Sequence, residues 1–409
     1  METGIEGRGL PPRGRRATGP RALGTRMAAS TVFSRPGAGA TPPWRDADAP
    51  PAAPSDDERA LHVAVLAPPW IPVPAPGYGG IEEVVRLLCE GLVERGHRVT
   101  LFAAPHSHSP AEVHALLSAP HPDEIERSLW EVDHVARAFD VVDAAARCGD
   151  AFDVVHDHTG FTALAMAHRL DTPLVHTLHG PFDPTICEFY EAHGHKGRLV
   201  AISASQRASA PARLRDDIDV VPNPLAVEEW AFGGAPEDHL LWIGRMAEIK
   251  GPHRAIRAAR AAGVEIVVAG PVQRGQEAFY AAEVQPQLGR AGVRYVGERG
   301  GEEKKALYRQ ARALLMPIRW AEPFGLVMVE AMASGTPVIA FPEGAAAEIV
   351  LDGENGFLVD DEDEMAAAIG RLDEIDRRRC RETVAERYDV PTVVAGYERV
   401  YRAAVRARG

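Results

Sequence analysis

LLWIGRMAEIKGPHRAIRAARAAGVEIVVAG, residues 240–270, sets two short apolar runs on either side of a candidate helix. Leu240 to Gly244 and Ile266 to Gly270 are too short for helices and read as fully buried strands. Pro252 suits a helix start, because the first turn has no use for its missing N–H. A continuous apolar strand, a helix and a second such strand form the unit of a parallel sheet covered on both faces. The pattern continues downstream in VRYVG (293–297), ALLMPI (313–318) and PVIAF (337–341).

An earlier series has the same texture. It contains HVAVLA (62–67), RVTLFA (98–103), DVVH (153–156), PLVHTL (173–178) and LVAIS (199–203). Between the first two, Val84, Val85, Leu88 and Leu92 share one stripe of a helix expected over Ile81–Arg95. Two series predict two doubly wound, Rossmann-like domains, 61–222 and 223–390, divided at the Pro-rich VVPNPL (220–225). Tyr397–Arg406 reads as a terminal helix, and the whole of 391–409 is expected to be a terminal helical segment that packs back on the first domain. Residues 1–58 are rich in Pro, Gly, Ala and Arg without apolar periodicity. That composition cannot offset its ordering entropy, so an extension without fixed structure is expected. Met1–Ser30 holds six Arg against two Glu, but prolines break any amphipathic targeting face, and Met27 is an alternative start.

The chain has 409 residues, 45% hydrophobic and 25% charged, enough for two cores. Forty-five basic against 58 acidic residues leave a net charge of −13, which argues against nucleic acid or anionic membrane as a partner. No apolar run reaches the roughly 18 residues of a membrane helix. Four cysteines without a CxxC pair suit a reducing cytosol, and a cytoplasmic location is expected.

Three loops carry candidate chemistry. No G-x-G-x-x-G follows the first strand, so nicotinamide binding is disfavoured. Gly79 and Gly80 instead precede the first helix, where backbone N–H groups can approach an anion closely, although a flexible loop turn explains the pair equally well. GRMAEIKG (244–251) places Arg245 and Lys250 after a strand's carboxyl end, where two cations suit a pyrophosphate, although taken alone they read equally as solvated surface charges. In AEPFGLVMVEAMASGTPV (321–338), Glu322 precedes Pro323 and is expected in a loop. Pro323 is read as the first helical residue, with the N–H groups of Phe324, Gly325 and Leu326 free in the first turn. Glu330 follows two turns on, about 12 Å away, too far for a paired glycosidase couple but suited to an extended ligand.

With these motifs in order, the chain from about Leu61 to its end resembles the family 4 retaining glycosyltransferases of GT-B fold. Glu322-PFGLVMV-Glu330 matches their E-x7-E element, and GRMAEIKG matches their basic loop. YGGIE (78–82), HTLHG (176–180) and VVPN (220–223) match in the first domain. The resemblance implies that Glu322 lies at the donor sugar, that Glu330 holds the nucleotide ribose, and that Arg245 and Lys250 hold the diphosphate. It also implies that His179 lies near the reacting sugar and that attack comes from the front face. The nucleobase is expected against the loop bearing Glu298 and Arg299.

A nucleotide-sugar donor, UDP-glucose as the default, and an unidentified hydroxyl acceptor are the expected partners, with no metal or other cofactor. A sugar-nucleotide epimerase on the same fold is the second reading, and a non-catalytic nucleotide-sugar binder the third. His156, Asp157 and His158, with His176 and His179, could suggest zinc. Polar residues at strand carboxyl ends are expected of any cleft, however, and His176 reads as a packed strand residue. Asp361-Glu362-Asp363 imitates a metal-binding D-x-D, but it opens a helix, where acidic residues complement the dipole.

Overall fold

The computed structural model describes residues 59–77, 79–125, 127–233, 236–290 and 292–408. The expected extension, residues 1–58, therefore lies outside the described residues. The first sheet contains β1 (His62–Leu66), β2 (Arg98–Ala103), β3 (Glu112–Ala115), β4 (Val154–Asp157), β5 (Leu174–Leu178), β6 (Arg198–Ala201) and β7 (Asp219–Val220). Its order is β3-β2-β1-β4-β5-β6-β7, and every pairing is parallel. The second contains β8 (His239–Ile243), β9 (Glu265–Ala269), β10 (Val293–Tyr295), β11 (Leu314–Met316), β12 (Val338–Ala340) and β13 (Gly356–Leu358). It runs β10-β9-β8-β11-β12-β13, again wholly parallel. The apolar runs are central because helices cover both faces, and β1, β4, β5 and β8 are buried from end to end.

Each sheet reverses its order once, at β1/β4 and at β8/β11. In open parallel sheets, ligands settle outside the strand carboxyl ends at such points. Gly79–Gly80 follow β1, GRMAEIKG follows β8, and the loop to Glu322 follows β11.

Two sequence expectations are revised, and one strand is added. The helix over 321–338 does not begin at Pro323. It spans Leu326–Ala333, and its N-cap is Gly325 at φ +93°. That left-handed backbone cannot continue a right-handed helix, so Phe324 and Gly325 stay in the loop. The terminal helix starts at Val390, one residue before the expected segment 391–409 and ahead of the clearest helical stretch at Tyr397, with Pro391 in its first turn. Strand β3, half-exposed at the sheet edge, had no apolar run to announce it.

Helix Val390–Arg406 packs its apolar stripe, Val393, Val394, Tyr397, Val400 and Tyr401, into the core of the first sheet beside Val85 and Leu88. Its partner is helix Gly80–Glu94, which approaches closely at Gly91. A side-chain carbon there would stand 2.6 Å from Val390 Cγ1 and 2.7 Å from Val394 Cγ2. Among the described residues no helix is long and apolar enough to cross a membrane. Overfilling the Gly91 contact should separate the two helices. Gly91→Val is expected to lower unfolding stability by about 1–3 kcal/mol in urea titration. A wild-type midpoint would mean that the close approach carries no energy.

Candidate active site

The loops after β8 and β11 meet through charge. Lys250 ends the turn Glu248–Lys250, and its Nζ donates a short hydrogen bond to Glu322 Oε2. The same oxygen accepts from Trp320 Nε1 at 3.0 Å, and the Lys250 ammonium lies 4.6 Å from the centre of a Trp320 ring. Glu322 is thus held in the loop, as Pro323 implied, by a cation on one side and an indole on the other. Arg245 is exposed and makes no hydrogen bond or ion pair with any described residue.

Glu330 sits in the second turn of helix Leu326–Ala333 and is buried. Lys304 Nζ donates to its Oε1 at 2.6 Å, and Tyr308 Oη donates to its Oε2 at 2.7 Å. Sequence reasoning passed over Lys304, Tyr308 and Trp320. The first two are four apart in helix Gly301–Gln310, a spacing that puts them on one face. Glu298 and Arg299 lie exposed in the loop just before that helix, where Arg299 Nη1 donates to the Glu298 carbonyl at 3.2 Å. No hydrogen bond brings these two to the other candidates. The Phe324 side chain is core, its ring 5.6 Å from that of Tyr388, so only its backbone is available to a ligand.

The glycine loop faces this group from the first sheet. Gly79 caps helix Gly80–Glu94, and a carbon added at Gly80 would stand 3.5 Å from Leu326 Cδ1. Beneath the loop, burial raises the carboxyl of Glu82 above its usual range. The loop after β5 forms another part of the wall. Pro181, Phe182, Ser205 and Gln206 line a small cavity together with Ala321, Glu322 and Pro323. Gln206 Nε2 pins the backbone on both sides of His179, donating to the carbonyls of Leu178 at 2.9 Å and Gly180 at 2.8 Å.

His179 is half-buried, with its inner edge among other imidazoles; His158 Nδ1 lies 2.9 Å from its Nε2. Burial first, then the neighbouring His176, lowers the His179 pKa to about 3. Burial likewise holds His156 and His158 well below the usual value, and His134 at about 4. His176 is packed as expected, bonded through Nδ1 to Asp157 at 2.6 Å and through Nε2 to Tyr190 at 2.9 Å. Asp361 caps helix Glu362–Ile369, accepting from the amides of Asp363 and Glu364.

Two parallel-sheet α/β domains that set a glycine loop against a cationic loop and an E-x7-E helix define a glycosyltransferase of GT-B fold. The chain belongs to glycosyltransferase family 4. A family profile described as Glycosyltransferase Family 4 matches residues 78–229, and one described as Glycosyl transferases group 1 matches 237–374. Phosphatidyl-myo-inositol mannosyltransferase of Mycolicibacterium smegmatis is 30% identical over 83% of this chain and 93% of the relative. D-inositol 3-phosphate glycosyltransferase of Nocardia farcinica is 28% identical over 80% and 85%. Among solved structures, AviGT4, a glycosyltransferase of avilamycin A biosynthesis, superposes with a TM-score of 0.63 at 28% identity, covering 85% of this chain and 98% of that one. Sucrose-phosphate synthase of Thermosynechococcus elongatus shares the fold at a TM-score of 0.70 and 22% identity, covering 85% and 100%.

The buried imidazoles make stability sensitive to acid. Below pH 6.5 an unfolded chain protonates rings that the folded chain keeps neutral until about pH 4 for His134 and about pH 3 for His179. Their contribution is therefore complete above pH 6.5 and is lost as pH falls, by up to about 1.4 kcal/mol per pH unit for each ring. Urea unfolding at pH 7.5 and 5.5 measures this. Equal midpoints would mean that the rings are already charged in the folded chain.

Proposed function

We propose that the protein transfers a sugar, with retention, from a nucleotide-diphosphate donor to a hydroxyl acceptor. One observation carries the reading. Gly80 stands opposite Leu326, which puts the glycine loop over the start of the Glu330 helix, with the Lys250–Glu322 pair beside it. A diphosphate in that gap would meet backbone N–H groups, Lys250 and the unpartnered Arg245. These groups stabilise the charge that develops on the leaving group. Lys250 would be shared: Glu322 holds it, and a bound phosphate would draw on the same ammonium.

Glu322 would face the donor sugar and oppose the positive charge of an oxocarbenium-like transition state. Glu330, fixed by Lys304 and Tyr308, would accept the ribose hydroxyls, and the loop of Glu298 and Arg299 would border the base. His179 would lie on the acceptor side near the reacting carbon. UDP-glucose is the default donor; HepE of Anabaena, which shares the fold at 21% identity, was solved with UDP. A sugar-nucleotide epimerase would need no acceptor wall, and family membership favours transfer. The four free cysteines, two of them buried, suit a cytoplasmic location.

Turnover is expected to persist in excess EDTA, because in this reading Lys250 and Arg245 supply the charge that faces the leaving group. Loss of turnover restored by Mg²⁺ or Mn²⁺ would refute that assignment.

The two glutamates should fail differently when each is changed to glutamine. Glu330→Gln removes a contact made equally in ground and transition states, so nucleotide affinity should drop about 10- to 150-fold with kcat nearly kept. Glu322→Gln should lower kcat by about 10²–10³. Nucleotide affinity should hold or rise, since Lys250 loses its competitor. Calorimetry with UDP, GDP and ADP beside donor hydrolysis separates the two variants. Equal loss of nucleotide affinity in both would overturn the division of roles.

A further inference from the structure

We propose that Tyr401, His156 and His158 are positioning residues that decide which ring nitrogen of His179 carries its proton. The proposal rests on the reading of His179 as a cleft residue. The contacts form one buried chain. Tyr401 Oη lies 2.6 Å from His156 Nδ1, His156 Nδ1 lies 3.3 Å from His158 Nε2, and His158 Nδ1 lies 2.9 Å from His179 Nε2. On its other edge His156 Nε2 meets Thr177 Oγ1 at 2.8 Å, and Thr177 meets Tyr397 Oη at 3.1 Å. His179 Nδ1 has no hydrogen-bond partner among the described residues and is not one of the enclosed unsatisfied atoms. It is the nitrogen left for a ligand.

A neutral imidazole has one N–H and one lone pair, so each ring-to-ring contact must match a donor with an acceptor. Burial keeps all three rings neutral. Only two arrangements avoid setting like against like. In the first, Tyr401 donates to the His156 Nδ1 lone pair, which also receives His158 Nε2–H. His158 Nδ1 then accepts from His179 Nε2–H, and His179 shows a bare lone pair at Nδ1. In the second every proton is reversed, and His179 shows an N–H at Nδ1.

Each arrangement leaves one hydroxyl proton unmatched: that of the Tyr401 phenol in the second and, with Thr177 Oγ1 accepting from both His156 Nε2–H and Tyr397, that of the Thr177 alcohol in the first. The stronger donor decides. A phenol is far more acidic than a neutral imidazole N–H, and the Tyr401 contact is the shortest in the chain, so the first arrangement is favoured. His179 then accepts a hydrogen bond from a sugar hydroxyl rather than giving one.

Removing the Tyr401 hydroxyl reverses the balance, because only the first arrangement would still have an unmatched proton. Long-range proton–nitrogen correlation of ¹⁵N-histidine-labelled full-length protein reads this directly, with His179 assigned by its loss in His179→Ala. In the wild type, His179 Nδ1 should show a pyridine-type shift and Nε2 a pyrrole-type shift. In Tyr401→Phe the two should interchange. Unaltered His179 shifts would overturn the proposal. Should Tyr401→Phe not fold, His158→Asn keeps a polar atom towards His179 and cuts the link to His156, and His179 should then show averaged shifts.

Hydrolysis of UDP-, GDP- and ADP-glucose supplies the second readout. Tyr401→Phe should lower kcat about threefold to tenfold with KM little changed, and should cost nothing further in a His179→Ala background. An equal loss in both backgrounds would mean that Tyr401 acts only through general stability. Full turnover in His179→Ala alone would sink the cleft role of His179, while the nitrogen shifts would still decide the relay.

Discussion

A parallel sheet covered on both faces has almost nowhere to hold polar chemistry except the loops at its strand carboxyl ends. β1, β4, β5 and β8 are buried throughout, so a charged side chain along any of them would need a buried partner. The order of each sheet opens a crevice between two neighbouring loops, and the motif residues collect there. The Lys250–Glu322 contact joins the loops after β8 and β11 at the switch point of the second sheet. The glycine loop after β1 occupies the matching place in the first. The geometry of the candidate site follows from where the backbone leaves the core.

That constraint also governs what the sequence disclosed. The central strands were legible because burial on both faces demands an unbroken apolar run such as LLWIG. β3 was not, since an edge strand of Glu112, Val113, His114 and Ala115 satisfies no such demand. Pro323 was read as a helix start from its fixed φ, but Gly325 two residues later takes a left-handed backbone, and the later restriction wins. The start of the terminal helix was legible to within one residue in the segment 391–409, although Pro391 and Gly396 look like breakers. Pro391 sits in the first turn, where it costs no hydrogen bond, and Gly396 is buried where the helix passes Val221. Glu322 and Glu330 were found as a motif, whereas their partners Lys304, Tyr308 and Trp320 come from separate segments that only the fold brings together.

Both glutamates are preorganised by cations, but in different ways. Glu330 has each oxygen engaged and is nearly enclosed, which favours a fixed acceptor whose geometry does not change along the reaction. Glu322 has one oxygen doing all the work, shared between Lys250 and Trp320, and is only half-buried. Such a carboxylate is free to exchange its partner if, as proposed, a diphosphate engages the lysine. The second charge is therefore built to hold still, and the first to respond.

The C-terminal segment connects these events to the other domain. Tyr388 packs its ring on Phe324, just before the Glu330 helix, and Val384, Cys380 and their neighbours belong to the core of the second sheet. Immediately afterwards the chain enters helix Val390–Arg406, whose Tyr397 and Tyr401 sit in the core of the first. One continuous stretch thus packs near the start of the Glu330 helix and reaches the histidine chain at its own end. Burying several polar side chains there makes sense only if each finds a partner, since an unmatched group costs about 1–3 kcal/mol and an apolar filling would carry no such penalty. A core filled by leucine would hold the helix equally well. What it could not do is set the direction of a hydrogen bond at His179.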